Sequence, residues 1–400
     1  MRDVFWPLAG TTWMQTITSV MFLTVPVLAP ALLDEVGFTA SHVGLYTSLV
    51  FLGAMPISLF MGALTARFGA MRTMQIGILA SAAALFLSIT TLLPLILACG
   101  FVLGMGYGPN TPGAAHILAR VTQPKDRPLV FSIKQSGAPL GGFVAGLLIP
   151  WVVVGAGWRE ALMVSATLGV VTVLMVQPLR AKSDDDREPG RPLSAGGVWC
   201  QLRLLAGHAG LRRLTLAGFI FACIQSCMFA FLVTYLVNHV GLDLVSAGVA
   251  YSCMHGIGVG ARIAWGWLAG RFVRAAMVLA LLGMASASFV IMLAHMDASW
   301  PLWGIAAVSA TAGATAAGWN GVFIAEITRV APADQVSAAT GGSIFFTYFG
   351  LVVGPAVFSV LVTLSNGYVL PYYVIAGCIF LAALSILPRR ERPTLSRRSS

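Results

Sequence analysis

Lys134, in the string FSIKQSGAPLGG, is the side chain of this 400-residue chain with the most to explain, because it lies about two helical turns inside an apolar run. An ionised group placed in hydrocarbon costs about 2.5 to 3.5 kcal/mol even on the permissive insertion scale, so it needs a partner or a task. One reading gives the ammonium an anionic ligand, with Gln135, Asn110 and Asn320 supplying oriented hydrogen bonds. The other lets Lys134 snorkel to a membrane interface, its butyl stem covering apolar surface.

Other polar groups share the apolar runs. Arg262 and Glu326 sit near one end of their runs, and a pair between them would hold a gate; a free Arg262 would instead add a second cation for an anion. His255 and His116 are of the type that titrates near neutral pH, although a hydrogen-bonded packing histidine is the plainer state of each. Trp319, beside Asn320, either stacks on a ligand or fills space. Five of the six cysteines (Cys99, Cys223, Cys227, Cys253, Cys378) fall in apolar runs, with no histidine or acid at metal-ligand spacing, so neither metal nor cofactor is implied. No nucleophile, base and orienting group assemble at recognisable spacing, which argues against an enzyme.

The elements that must position these groups follow from composition. With 58% hydrophobic and only 10% charged residues, the chain is far from the balance of soluble domains. A helix needs roughly 20 apolar residues to span hydrocarbon. Twelve such runs fit, at 10–33, 41–64, 71–91, 94–118, 128–154, 160–179, 213–237, 244–268, 275–295, 301–325, 336–362 and 370–388. The first is too long for a signal-peptide core and reads as an uncleaved helix. With the N-terminus inside, 21 of the 24 basic residues fall in cytoplasmic segments and only Arg159 outside, which predicts both termini in the cytoplasm. The +10 net charge then reflects topology, with the lipid bilayer as partner; scattered charges of this kind form no nucleic-acid face.

The expected class is therefore an all-α membrane protein. The stretch AKSDDDREPGRP cannot bury a core, and it divides a first bundle (1–180) from a second (213–400, with a basic tail) through a linker at 181–212 that carries an interfacial helix. GALTARFGAMR from Gly62 and GWLAGRFVRAA from Gly266 repeat at a shift of 204, and Asn110 and Asn320 repeat at a shift of 210. Glycines at four-residue spacing, Gly137 with Gly141 and Gly350 with Gly354, allow close helix approach and suit surfaces that rock against each other.

The paired loops resemble the cytoplasmic signature of the major facilitator superfamily: Gly62, Arg67, Gly69 and Arg72 fit the first copy, and Gly266, Arg271 and Arg274 the second. The family's acidic position is Ala66 in one copy and Gly270 in the other, so the salt bridge that acid makes between helices lacks its carboxylate. The resemblance implies two pseudo-symmetric six-helix bundles, a cavity lined by spans one, four, seven and ten, and a monomeric carrier.

Together these features predict alternating-access transport of a small organic anion such as a carboxylate, in a bacterial plasma membrane. Apart from Glu326 at the end of its run, no acid lies deep in any span, which disfavours cationic drugs. Coupling through a proton or a counter-anion stays open. Two other readings compete: export of apolar or drug-like compounds, and a sensor or scaffold that binds without flux.

Overall fold

The computed structural model describes residues 2–123, 127–188, 198–269, 272–332 and 336–387. Those residues are helical almost throughout, and eleven helices are long and apolar enough to cross a membrane. The continuous spans are one (Arg2–Leu28), two (Ala40–Phe68), three (Ala70–Leu87), six (Trp158–Val176), seven (Ala209–Asn238), eight (Leu244–Leu268), nine (Ala275–Ala294), eleven (Val336–Ser365) and twelve (Val369–Ile386). These agree with the runs read from composition, since apolar length is what the bilayer demands. Large apolar side chains such as Trp151, Trp303 and Leu364 stand exposed on the outside, as lipid contact permits.

Three spans are broken, and the breaks have identifiable causes. Span four consists of Leu93–Tyr107 and Asn110–Val121. Pro109 and Pro112 have no N–H to offer the carbonyls of Met105 and Gly108. Span five consists of Arg127–Gln135 and Gly137–Gly155; Pro139 likewise leaves the Gln135 carbonyl without its helical donor. Span ten consists of Leu302–Ala316 and Asn320–Val330 and contains no proline at its break. There, side chains of span eight take the freed carbonyls: Trp265 Nε1 donates to Ala314 O at 2.9 Å, and Arg262 Nε to Ala317 O at 3.0 Å.

Within each six-span half the helices meet through small residues. A Cβ on Gly141 would lie 2.3 Å from Thr16 O of span one, and one on Gly350 would lie 2.3 Å from Phe219 O of span seven. The expectation that Gly137, Gly141, Gly350 and Gly354 form surfaces between the halves is corrected: all four press on spans one or seven of their own half. Span five meets span eight of the other half through the adjacent face, with Gly142 under the His255 ring and Gly146 against Gly248. One residue along a helix turns the side chain by about 100°, enough to change the partner.

Hydrogen bonds between the halves run along two seams. Span two meets span eleven through Ser41 to Thr363 (2.7 Å) and Ser48 to Val352 O (2.6 Å). Span five meets span eight through Ser252 to Phe143 O (2.9 Å) and Arg262 Nη1 to Gln135 O (3.4 Å). Helix Val198–Gly207, in the linker, packs on spans seven and eleven.

Candidate substrate site

Lys134 occupies the last turn of the first segment of span five, one residue before the helix breaks. The ammonium is 1% exposed and reaches inward, so it does not snorkel to an interface. Its Nζ donates to Gln15 Oε1 of span one at 2.9 Å, to Gln135 Oε1 at 3.2 Å and to Thr111 Oγ1 of span four at 3.5 Å. Three donors meet three neutral oxygens. Among the described residues no carboxylate pairs with it.

Gln15 is the hub of this arrangement. Its Oε1 faces the ammonium while Nε2 donates to Ser19 Oγ (3.4 Å) and the Tyr107 hydroxyl (3.5 Å). Asn110 opens the second segment of span four and is pinned to span one, Nδ2 donating to Thr18 Oγ1 at 2.8 Å. Its Oδ1 is buried without a partner, an arrangement that leaves one acceptor beside the cage unspent.

The other half repeats the plan with a different donor. Gln225 of span seven stands 210 residues after Gln15, the shift that also relates Asn320 to Asn110. Gln225 Oε1 accepts from Trp319 Nε1 at 3.1 Å and from Asn320 Nδ2 at 3.3 Å. Trp319 is fully buried against Phe221 and Phe323. It packs between helices here instead of offering a face to a ligand.

Arg262 joins the two halves. Its Nε holds the break of span ten and its Nη1 the carbonyl that Pro139 vacates in span five. The expected Arg262–Glu326 pair does not form, because Glu326 lies one turn from Arg329 on the same helix and takes it instead, at 2.5 and 2.9 Å. His255 is buried between Phe229 and Tyr251, with both ring nitrogens unpartnered. The hydrogen bond expected for it is absent among the described residues, since the span five backbone opposite it presents glycine.

The signature loops sit away from this centre. Gly69 turns between spans two and three with φ +92°, and a Cβ there would lie 2.2 Å from Asp184 Cγ. Asp184, from the linker, accepts from Met71 N (2.8 Å) and Arg72 N (3.0 Å), so it caps span three. Desolvation raises its pKa, partly offset by those two backbone bonds. Arg67 and Gly266 are exposed; the side-chain surroundings of Gly62 and the whole of Arg271 lie outside the described residues. Asp243 caps span eight, and hydrogen bonding from Ser246 holds its carboxyl below the usual range.

Sequence reasoning picked Lys134, Asn110 and Asn320 but passed over Gln15, Tyr107 and Gln225. The signal was present: the 210-residue shift that pairs the asparagines pairs the glutamines as well.

Two pseudo-repeated sets of six helices, broken near a shared polar centre and meeting along two seams, define a multi-pass membrane carrier. Residues 12–341 match the sequence profile of the Major Facilitator Superfamily, and the chain belongs to that family. It is thus a transporter and not an enzyme. Among curated relatives, it is 22% identical to the hexuronate transporter of Bacillus subtilis, over 93% of this chain and 90% of that one. It is 24% identical to a probable sulfoacetate transporter of Cupriavidus necator, over 91% and 89%. It is 26% identical to an uncharacterized MFS-type transporter of Mycobacterium tuberculosis, over 96% and 86%. In fold it is similar to a bacterial homolog of the human lysosomal transporter Spinster, crystallised inward-facing (TM-score 0.70, 14% identity, 98% and 99% covered). It is also similar to the nucleoside transporter NupG (TM-score 0.73, 13% identity, 94% and 98% covered).

Proposed function

We propose that this transporter moves a small organic anion, with Lys134 as the charge that selects it. The observation that carries the reading is the ammonium held by three neutral oxygens with no carboxylate beside it among the described residues. Neutral partners satisfy its donors without cancelling its charge, so an arriving carboxylate or sulfonate finds an uncompensated cation in a medium of low dielectric. The named substrates of two relatives, hexuronate and sulfoacetate, are both organic anions, which supports the same reading.

The two bundles, 1–180 and 213–400, rock about the centre as rigid halves joined by the linker at 181–212. Gln135, Asn110, Asn320 and Arg262 ring the path, and the seams of spans two with eleven and five with eight exchange contacts during each cycle. The chain works as a monomer in a bacterial inner membrane with both termini cytoplasmic. Coupling is to a proton or to a counter-anion.

The test is uptake of labelled glucuronate into proteoliposomes, with sulfoacetate and glucose as competitors. Competition by sulfoacetate and none by glucose is expected. Equal competition by the neutral sugar, or saturable binding with no flux, would overturn the reading. An imposed pH gradient against a preloaded counter-anion separates the two modes of coupling.

A further inference from the structure

On the linker face each half brings together the same three parts: the first turn of its third span, the last turn of its fourth and the end of its sixth. In the first half, carboxylates of the chain itself fill the gap between them. Asp184 receives the amides of Met71 and Arg72; Arg120 holds Asp185 at 2.5 Å and Asp186 at 3.1 Å; His116 meets Asp186 at 2.7 Å.

In the second half, among the described residues, Glu326 alone brings a carboxylate to the corresponding gap. A cavity of 180 Å³ there is lined by Arg213, Arg274, Arg329, Ala276, Glu326 and Ser385. Glu326 is committed to Arg329. Arg213 and Arg274 have no carboxylate among the described residues, and the amide of Ala276, in the first turn of span nine, receives no acceptor from them. In the first half the chain runs on past span six into Asp184, Asp185 and Asp186; in the second, Ser385, Ile386 and Leu387 at the end of span twelve line the cavity, and the positions 210 residues after the three aspartates lie outside the described residues.

We propose that this cavity binds a phosphoryl anion, either an anionic lipid headgroup or free phosphate, in the place that the protein's own carboxylates take in the first half. Two guanidinium forks match phosphoryl oxygens in geometry, a helix N-terminus adds a favourable amide, and a basic pocket at this level of the bilayer meets anionic headgroups. The site is separate from Lys134 and holds whatever the transported substrate is.

Thermal unfolding of the full chain in neutral detergent tests it, with dioctanoyl phosphatidic acid, dioctanoyl phosphatidylcholine and inorganic phosphate as probes. Phosphatidic acid should raise Tm saturably and phosphatidylcholine should not, and the Arg213→Gln, Arg274→Gln double variant should weaken the apparent affinity at least about tenfold, the loss of one charged hydrogen-bonding partner. Saturation by inorganic phosphate alone identifies the soluble source; dependence on the acyl chains identifies the lipid. Ser385→Asp supplies an internal carboxylate, so it should raise the unliganded Tm and abolish the response, and it reads the same cavity if the double variant does not fold. Equal shifts by both lipids, or an unchanged response in both Ser385→Asp and the double variant, would overturn the proposal. So would a response that arises only in Glu391→Gln, because the tail carboxylate would then be the occupant.

Discussion

Gln15 and Gln225 hold equivalent places in the two halves and present the same amide oxygen to different donors. The first accepts from an ammonium, the second from an indole N–H and an asparagine. One fold thus carries a charged centre on one side and a neutral, packed one on the other. Duplication supplied the scaffold twice, and the buried lysine stands in one copy only, position 344 at the same shift being isoleucine.

The comparison breaks most readily at the ammonium. Lys134→Ala should lower anion uptake roughly 30- to 150-fold, the equivalent of about 2 to 3 kcal/mol for a charged hydrogen-bonded contact, with Tm held or raised because a buried charge is gone. Unchanged uptake would remove Lys134 from the site. Next, Gln15→Leu takes away the shortest acceptor of a buried cation and should cost about 1.5 to 3 kcal/mol of stability, whereas Gln225→Leu, facing neutral donors, should cost about 1 kcal/mol. Thermal unfolding of the two variants side by side checks the inequality, and equal losses would show that the ammonium draws nothing special from Gln15.

A smaller effect is expected for Trp319→Phe. It removes one donor but leaves Asn320 on Gln225, so stability should fall by about 1 kcal/mol while uptake stays at the wild-type level. Loss of uptake with normal Tm would instead place the indole against substrate. The smallest effect concerns the linker clamp. The Arg120 hydrogen bond holds the Asp185 carboxyl below its usual range. A depressed folded-state pKa means that the contribution is present above the unfolded value and lost as pH falls through the folded one. Tm of wild type and Asp185→Asn should therefore differ slightly at pH 7 and converge below about pH 4, where carboxylates protonate.

Much of this was legible in the sequence because the bilayer enforces it: apolar length set the spans, and basic loops set the expected topology. Span ten was read as one run, since no proline marks its break. The break is visible only when Trp265 and Arg262 are seen taking its carbonyls from another helix. Pairings were harder still. Arg262 and Glu326 have opposite charge and similar depth, yet Arg329, three residues along the same helix, reaches Glu326 first. The glycine pairs were recognised as contact points but assigned to the wrong neighbour, because spacing along one helix does not say which partner it faces. Gln15 escaped attention because a lone glutamine carries no charge to be explained.

The cap that Asp184 places on span three has a consequence for severing the chain. Because the carboxylate and its two neighbours dock on the first bundle, a cut between Glu188 and Val198 would leave that clamp intact on the amino-terminal fragment. The carboxy-terminal fragment would keep the helix that begins at Val198, packed on spans seven and eleven. Two pieces made separately would each retain their own fastening on the linker face, and reassembly in a membrane would need only the two seams to find each other.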